Sequence, residues 1–254
     1  NLSVLRMIKK FFYSNKNSLE KLEQSKHTPK RMTNYEIELD REEKKKITTF
    51  FKSSDIKLVV FDLHGTLTNR TSLHPYHIEY RNQYIEKQTG LSFPKHFSGG
   101  CDDAFLLFPS IDKYAFYKHR DHDPLFRFEK IHSPNPKLAE ELRLTSKHFH
   151  TVLYSDSYLT QIERTLTAIG IDPIFDSIIG LENGQKKESS QFTTYPYLCE
   201  RFNINMENVL IIGDRMDKDI NPVLNAGGNG IRIESSSYIL EAIDLINKTF
   251  ANNM

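Results

Sequence analysis

Residues 58–68 read LVVFDLHGTLT. Four apolar residues, Leu58 to Phe61, make the pattern of a short buried strand, and Asp62 stands where that run ends. Gly65 and Thr66 then turn the chain. A carboxylate at the carboxyl end of a central parallel strand stands where open α/β sheets bind their ligands. A strand closed by a turn-capping aspartate would read the same way. Residues 208–214, NVLIIGD, repeat the pattern and run on as GDRMDKDI, which crowds Asp214, Asp217 and Asp219 into one turn. Three acids packed after an apolar run are costly unless something positive binds them. Proteins usually hold Mg²⁺ with one or two carboxylates and the oxygens of a substrate phosphate. A solvated acidic helix start is the plainer alternative. Between the two acidic turns lies TVLYSDS (151–157), a third apolar run ending in the small hydroxyl of Ser155, followed by Lys186 and Lys187.

Strand–Asp, strand–Ser, Lys and strand–Gly–Asp–acids, in that order, resemble the four motifs of the haloacid dehalogenase superfamily. The resemblance covers about residues 55–250. It implies an α/β fold: a three-layer α/β/α Rossmann-like core with a parallel sheet and an inserted helical cap. It also implies Mg²⁺-dependent hydrolysis of a small phosphorylated metabolite through an aspartyl-phosphate, a form of covalent catalysis. Asp62 would then be the nucleophile. Asp214, with Asp219 or Asp217, would hold Mg²⁺ beside it, and the backbone carbonyl of His64 would be a further ligand. Ser155 would hydrogen-bond a phosphoryl oxygen, with Gly65 and Thr66 also placed against the substrate. Lys186 or Lys187 would offset the charge of phosphate and nucleophile, and spacing does not choose between them.

His64 departs from that pattern, because phosphatases of the superfamily usually carry a second Asp there. Three readings compete. Imidazole titrates near neutrality and can serve as general acid and base. Alternatively, hydrolysis is impaired and the phosphorylated intermediate lives longer. In the third reading the site has decayed and the fold serves binding or structure. A rival to the enzyme is therefore a catalytically weak or inactive accessory subunit of a larger assembly. Several stretches, among them IERTLTAIGIDPIFDSIIGLEN and HPYHIEYRNQY, look most like the capped branch that includes pyrimidine 5′-nucleotidases, which makes a nucleotide a candidate substrate.

Specificity in this fold would come from the cap. Within YKHRDHDPLFRFEK (117–130), Arg120 and Arg127 could grip a phosphate or carboxylate bidentately. Phe116, Tyr117, Phe126 or Phe128 could stack on a base, although core aromatics beside a solvated loop would look alike. His119, Asp121, His122 and Asp123 alternate in a way that would splay them in an extended loop, against a second metal.

The elements that must position these residues alternate between strand and helix, which argues a parallel sheet covered on both faces. Ile56–Asp62 is expected as the first strand. Residues 69–132 are expected as the cap, with a helix over 76–90, a Gly99–Gly100 break and further helical stretches. Residues 54–68 and 133–254 would form the core, including helices over 134–146, 156–170 (ended by Gly170), 220–228 and 237–250, and strands at 175–180 and 230–233. The first 53 residues read as a polar arm that could bind a protein partner. YEIELDREEKKKITTFF (35–51) looks like a solvated helix with charge pairs. Residues 1–19 carry Arg6, Lys9, Lys10 and Lys16 and no acid, a composition shared by mitochondrial transit peptides and by amphipathic arms.

Composition excludes some classes. The 254 residues are 38% hydrophobic and 26% charged with a formal net charge of +1, which gives no electrostatic case for nucleic acid. No run of eighteen apolar residues marks a transmembrane helix. Two cysteines, Cys101 and Cys199, are too few for a disulfide framework and fit a reduced compartment.

Overall fold

The computed structural model describes residues 46–53, 55–94, 97, 101–171, 174–182, 187 and 193–250. The basic stretch 1–19, the charged stretch up to residue 45, the Gly99–Gly100 break and Lys186 lie outside the described residues.

Six strands among them form one sheet: β1 (Ile47–Phe50), β2 (Leu58–Phe61), β3 (His150–Tyr154), β4 (Ser177–Ile179), β5 (Val209–Gly213) and β6 (Asn229–Ile233). Their order is β1-β6-β5-β2-β3-β4, with β2 at the centre between β5 and β3. The pairs β2–β3, β2–β5, β3–β4 and β5–β6 are parallel. Leu58, Val59, Val60 and Phe61 are all buried because both faces of a central parallel strand are covered. Successive residues point to opposite faces. Val59 and Phe61 pack with helices α4 (Pro136–Thr145), α5 (Leu159–Ile169) and α8 (Ile239–Phe250). Leu58 and Val60 pack on the other side with α6 (Thr194–Phe202) and α7 (Asn221–Asn225). Each fully buried side chain of this kind contributes about 1.5–3 kcal/mol from burial alone.

One element runs against expectation. The end of the supposed charged helix, Ile47 to Phe50, is an edge strand antiparallel to β6, with Ile47 opposite Ile233 and Phe50 opposite Gly230. The β-branched run Ile-Thr-Thr suits a pleated, half-buried surface, and the open edge of β6 supplies the partner. The sheet is therefore parallel except at this edge, and residues 47–50, expected in the arm, belong to the core sheet.

Between β2 and α4 the chain forms helices α1 (Arg70–Thr89), α2 (Cys101–Leu107) and α3 (Lys113–His122). α1 starts at Arg70, ahead of the expected residue 76, because Asn69 caps it by accepting from the Thr71 N–H at 2.9 Å, and Pro75 is carried inside the helix. Ile85, Phe93, Ala104, Phe105 and Phe116 give this region its own apolar cluster. Arg164 of α5 fastens it to the core: its guanidinium donates to the carbonyls of Asp121 and Asp123 at 3.0 Å each and to that of Phe126.

Candidate active site

Four chain segments converge at the carboxyl ends of β2, β3 and β5. Asp62 follows β2, and its N–H donates to the Ile212 carbonyl of β5 at 3.0 Å. Its Oδ2 accepts from the Thr66 hydroxyl at 2.8 Å, which fixes the carboxylate's rotation. Its Oδ1 accepts from the Lys187 ammonium, which also donates to Asp219 Oδ1 at 2.7 Å. Of the two candidate lysines the described one, Lys187, stands between both carboxylates, its side chain only 3% exposed. Asp156, the residue after Ser155, holds the lysine's segment by accepting from the Lys187 N–H at 3.0 Å.

Asp219 is brought inward by a π-helical turn, Met216–Ile220, directly after the Asp214 turn. Such widened turns recur at functional sites because they re-aim side chains. The Arg215 N–H donates to Asp219 Oδ2 at 2.9 Å. Asp217 instead faces solvent in a fork with Arg215, at 3.1 and 2.6 Å. Among the described residues, the acids and histidines able to share one ion are Asp62, Asp214 and Asp219, with ligand oxygens within 4.8 Å of one another. Gly65 has φ +99°, and a Cβ there would run into the Asp214 carboxylate. A side chain at Gly213 would run into Asp219 in the same way. The backbone thus leaves room for an all-oxygen cradle of the kind that suits Mg²⁺.

Charge in this cradle is nearly balanced without an ion. Burial alone would push the Lys187 ammonium down, but Asp219 and Asp62 outweigh it and hold it charged far above its ordinary range. Burial pushes Asp219 up, opposed by Lys187, because two carboxylates share one ammonium. Burial also raises Asp214, opposed by Arg70. Arg70, the first residue of α1, donates from Nη2 to the His64 carbonyl at 3.0 Å and to Asp214 Oδ1 at 3.2 Å.

His64 is held at both ring nitrogens. Nδ1 lies 3.1 Å from Thr68 Oγ1 and Nε2 lies 2.9 Å from the Gln161 amide nitrogen. Burial and the nearby Arg120 guanidinium push its pKa down to about 3, so the ring is neutral at pH 7.

Above these groups a cavity of about 610 Å³ opens between the cap and the core. Asp62, His64, Ser155 and Lys187 line its floor, and Tyr114 and Tyr117 of α3 line it from the cap. Ser155 is buried, its N–H donating to the Ile179 carbonyl at 3.0 Å.

Several expected substrate contacts are placed otherwise. Arg120 is buried and committed to protein groups: Nε to Asp121 Oδ1 at 2.6 Å, Nη2 to Gln161 Oε1 at 2.5 Å, and Nη1 near His77 Nε2 at 3.0 Å. It joins cap to core and also lines the cavity. Arg127 lines a different hollow on the cap, with Tyr76 and Leu125. Gly65 and Thr66 shape Asp62 and Asp214 and are absent from the cavity wall. Of the four candidate stacking aromatics only Tyr117 reaches the cavity, since Phe116, Phe126 and Phe128 are buried in the cap and its hinge. His119 and His122 lie on helix α3, not on an extended loop, and Tyr80 takes up His119 at 2.7 Å and Asp123 at 2.5 Å. Sequence reading missed Arg70 and Gln161, which sit in none of the quoted motifs, and Asp156, which lies within TVLYSDS.

The model of the haloacid dehalogenase-like hydrolases matches residues 56–227. The chain belongs to this family. A glyceraldehyde 3-phosphate phosphatase of Methanocaldococcus jannaschii is 35% identical over 74 residues, which is 29% of this chain and 32% of that protein. The match thus spans about a third of that relative's length. Among solved structures, a haloacid dehalogenase-like hydrolase of Xanthomonas campestris is 17% identical with a TM-score of 0.47, covering 79% of this chain and 99% of that one. A phosphatase of the same superfamily from Thermococcus onnurineus is 19% identical with a TM-score of 0.48, covering 69% and 85%. In this dehalogenase-like hydrolase the matched stretch contains Asp62, His64, Ser155, Lys187, Asp214 and Asp219.

Proposed function

We propose that this dehalogenase-like hydrolase is a Mg²⁺-dependent phosphomonoesterase acting on a small phosphorylated metabolite, a nucleotide among the candidates. One observation carries the reading: the Lys187 ammonium bridges Asp62 and Asp219 directly beneath an open cavity, with Asp214 completing the acidic cluster. Structural needs alone do not explain two buried carboxylates facing one buried lysine, since burying that many charges costs more than an apolar replacement.

In this mechanism the Asp62 carboxylate attacks phosphorus in line, the bond to the leaving oxygen breaks, and a phosphoryl group rests on Asp62. Thr66 keeps the carboxylate turned for attack. Lys187 offsets the charge on the phosphoryl oxygens, and the Ser155 hydroxyl donates to one of them. Water then attacks phosphorus, the aspartyl–phosphate bond breaks, and inorganic phosphate leaves. Asp62, Asp214, Asp219 and the His64 carbonyl would hold Mg²⁺, which when bound neutralises phosphate charge and helps align the attacking group.

A second reading is favoured by His64 itself. Its ring is neutral and engaged at both nitrogens, so a weak or inactive accessory subunit remains the rival. Phosphate release from nucleotides, sugar phosphates and p-nitrophenyl phosphate, with Mg²⁺ or EDTA, separates the two. We expect Mg²⁺-dependent turnover that Asp62→Asn abolishes. Inactivity of the natural protein together with recovery in His64→Asp would support the accessory reading with an intact cradle.

A further inference from the structure

Away from the acidic cluster, the described wall of the cavity balances its charges. Asp103 and Asp121 of the cap and Asp156 of the core stand in it with Lys113, Arg120 and Lys218. Arg120 is committed to Asp121, whose Oδ1 accepts from its Nε at 2.6 Å, and both side chains are buried. Lys218 Nζ lies 3.6 Å from Asp156 Oδ2. Lys113 Nζ stands 5.5 Å from the centre of the Tyr114 ring. Nearer the cluster, Arg70 holds Asp214 at 3.2 Å, and Arg215 forks onto Asp217 at 3.1 and 2.6 Å. Burial and the Arg120 guanidinium push His77 well below its ordinary range, so it adds no charge at pH 7. The same wall carries neutral hydroxyls, those of Tyr114, Tyr117, Ser157 and Tyr158, each able to donate and to accept.

From this arrangement we infer that the substrate carries a single phosphoryl group on an uncharged, hydroxyl-bearing organic part, and that Asp103 and Asp121 are the specificity-determining residues that turn away a second anionic group. The inference rests on the phosphatase reading, with Asp62 as nucleophile. A carboxylate or second phosphate is recognised by a cation whose charge is not already balanced. Laid against Arg120 or Lys218 it would also lie beside Asp121 or Asp156, and repulsion from the acid would offset attraction to the cation. Placing like charges together is a general means of excluding the wrong partner. A cationic organic part meets the mirror image of the same wall. A hydroxyl exchanges its water for a tyrosine or serine hydroxyl and needs no charge. The cavity of about 610 Å³ lies within the range of about 300–1,000 Å³ usual for small-molecule sites, so it has room for the organic part as well as the phosphoryl group.

The test measures kcat/KM with Mg²⁺ at about pH 8, above the ordinary histidine range, for pairs of esters matched in size. Glycerol 3-phosphate is set against 3-phosphoglycerate, fructose 6-phosphate against fructose 1,6-bisphosphate, and 2-hydroxyethyl phosphate against phosphoethanolamine. The uncharged member of each pair should be favoured, by about tenfold in the two anionic pairs, since like charges held side by side repel strongly. Asp121→Asn and Asp103→Asn should each narrow the gap between glycerol 3-phosphate and 3-phosphoglycerate a few-fold, through KM more than kcat. Asp103 is exposed, so its variant keeps the test open if Asp121→Asn, which deprives buried Arg120 of a charged partner, fails to fold. Raised salt should narrow the same gap in the natural protein, which rejection by shape would not do. Isothermal titration of Asp62→Asn with the same esters reads the ranking without turnover. Equal or faster turnover of the charged members overturns the inference and leaves the phosphatase reading standing. A gap that ignores salt and both variants overturns the assignment of Asp103 and Asp121. No phosphate release by the natural protein and no binding by Asp62→Asn, for every ester, overturns the phosphatase reading and this inference with it.

Discussion

At the level of single residues, one ammonium faces two buried carboxylates with a third nearby, and burial raises both Asp219 and Asp214. A divalent cation needs all three ionised. Raised carboxylates hold their protons to higher pH, so proton and metal compete, and Mg²⁺ affinity should fall as pH falls through their range. Metal uptake should therefore release protons. Isothermal titration in two buffers of different ionisation enthalpy would show this as unequal apparent heats, and equal heats would contradict it. Arg70 is the other competitor, because its Nη2 already occupies the His64 carbonyl and Asp214 Oδ1. In the same titration Arg70→Gln should bind Mg²⁺ more tightly, by a few-fold given that the side chain is 47% exposed.

Among the elements, α5 carries more than its place in the core requires. Gln161 faces the catalytic loop, and Arg164, one turn on, holds three carbonyls of the cap. Arg164→Met would leave those carbonyls without their donor and should cost roughly 2 kcal/mol or more. Hydrogen exchange should rise most in α3 and at residues 121–126, and a uniform rise over the whole sheet would show that the contact is not local. Such ties are invisible along the chain, because they join residues that lie 38 to 97 positions apart. What could be read was local. Apolar runs ending in Asp62, Ser155 and Asp214 carry their own period and punctuation, and Gly170 closes α5 at φ +73° as a helix-ending glycine does. Neighbours on an irregular stretch carry no such signal, so spacing does not separate Lys186 from Lys187, and the place of Lys187 between two carboxylates shows only in the folded chain. Sequence shows the charge of Arg120 but not its partners Asp121 and Gln161. β1 was hidden for a related reason: four residues after a charged stretch become a strand only because β6 offers an open edge.

For the whole molecule, the sheet sets a gradient of order. β2 and β5 are paired on both sides and covered on both faces, whereas β1 has one partner and four half-buried residues. Native-state hydrogen exchange should report this: amides of β2 and β5 should open only with global unfolding, and those of β1 at lower free energy. Equal protection across the sheet would refute the ranking. Closure at the cap side depends on a separate apolar cluster, so cap and sheet need not open together. The reversed direction of β1 also has a geographic meaning. Ile47 lies opposite Ile233, at the end of the sheet where Asp62 and Asp214 emerge, while Phe50 lies toward the far end. Three strand spacings of ~4.8 Å put about 14 Å between β1 and the strand that carries Asp62. The edge strand β1 consequently begins on the side of the sheet that carries the acidic cluster and not at the back of the protein.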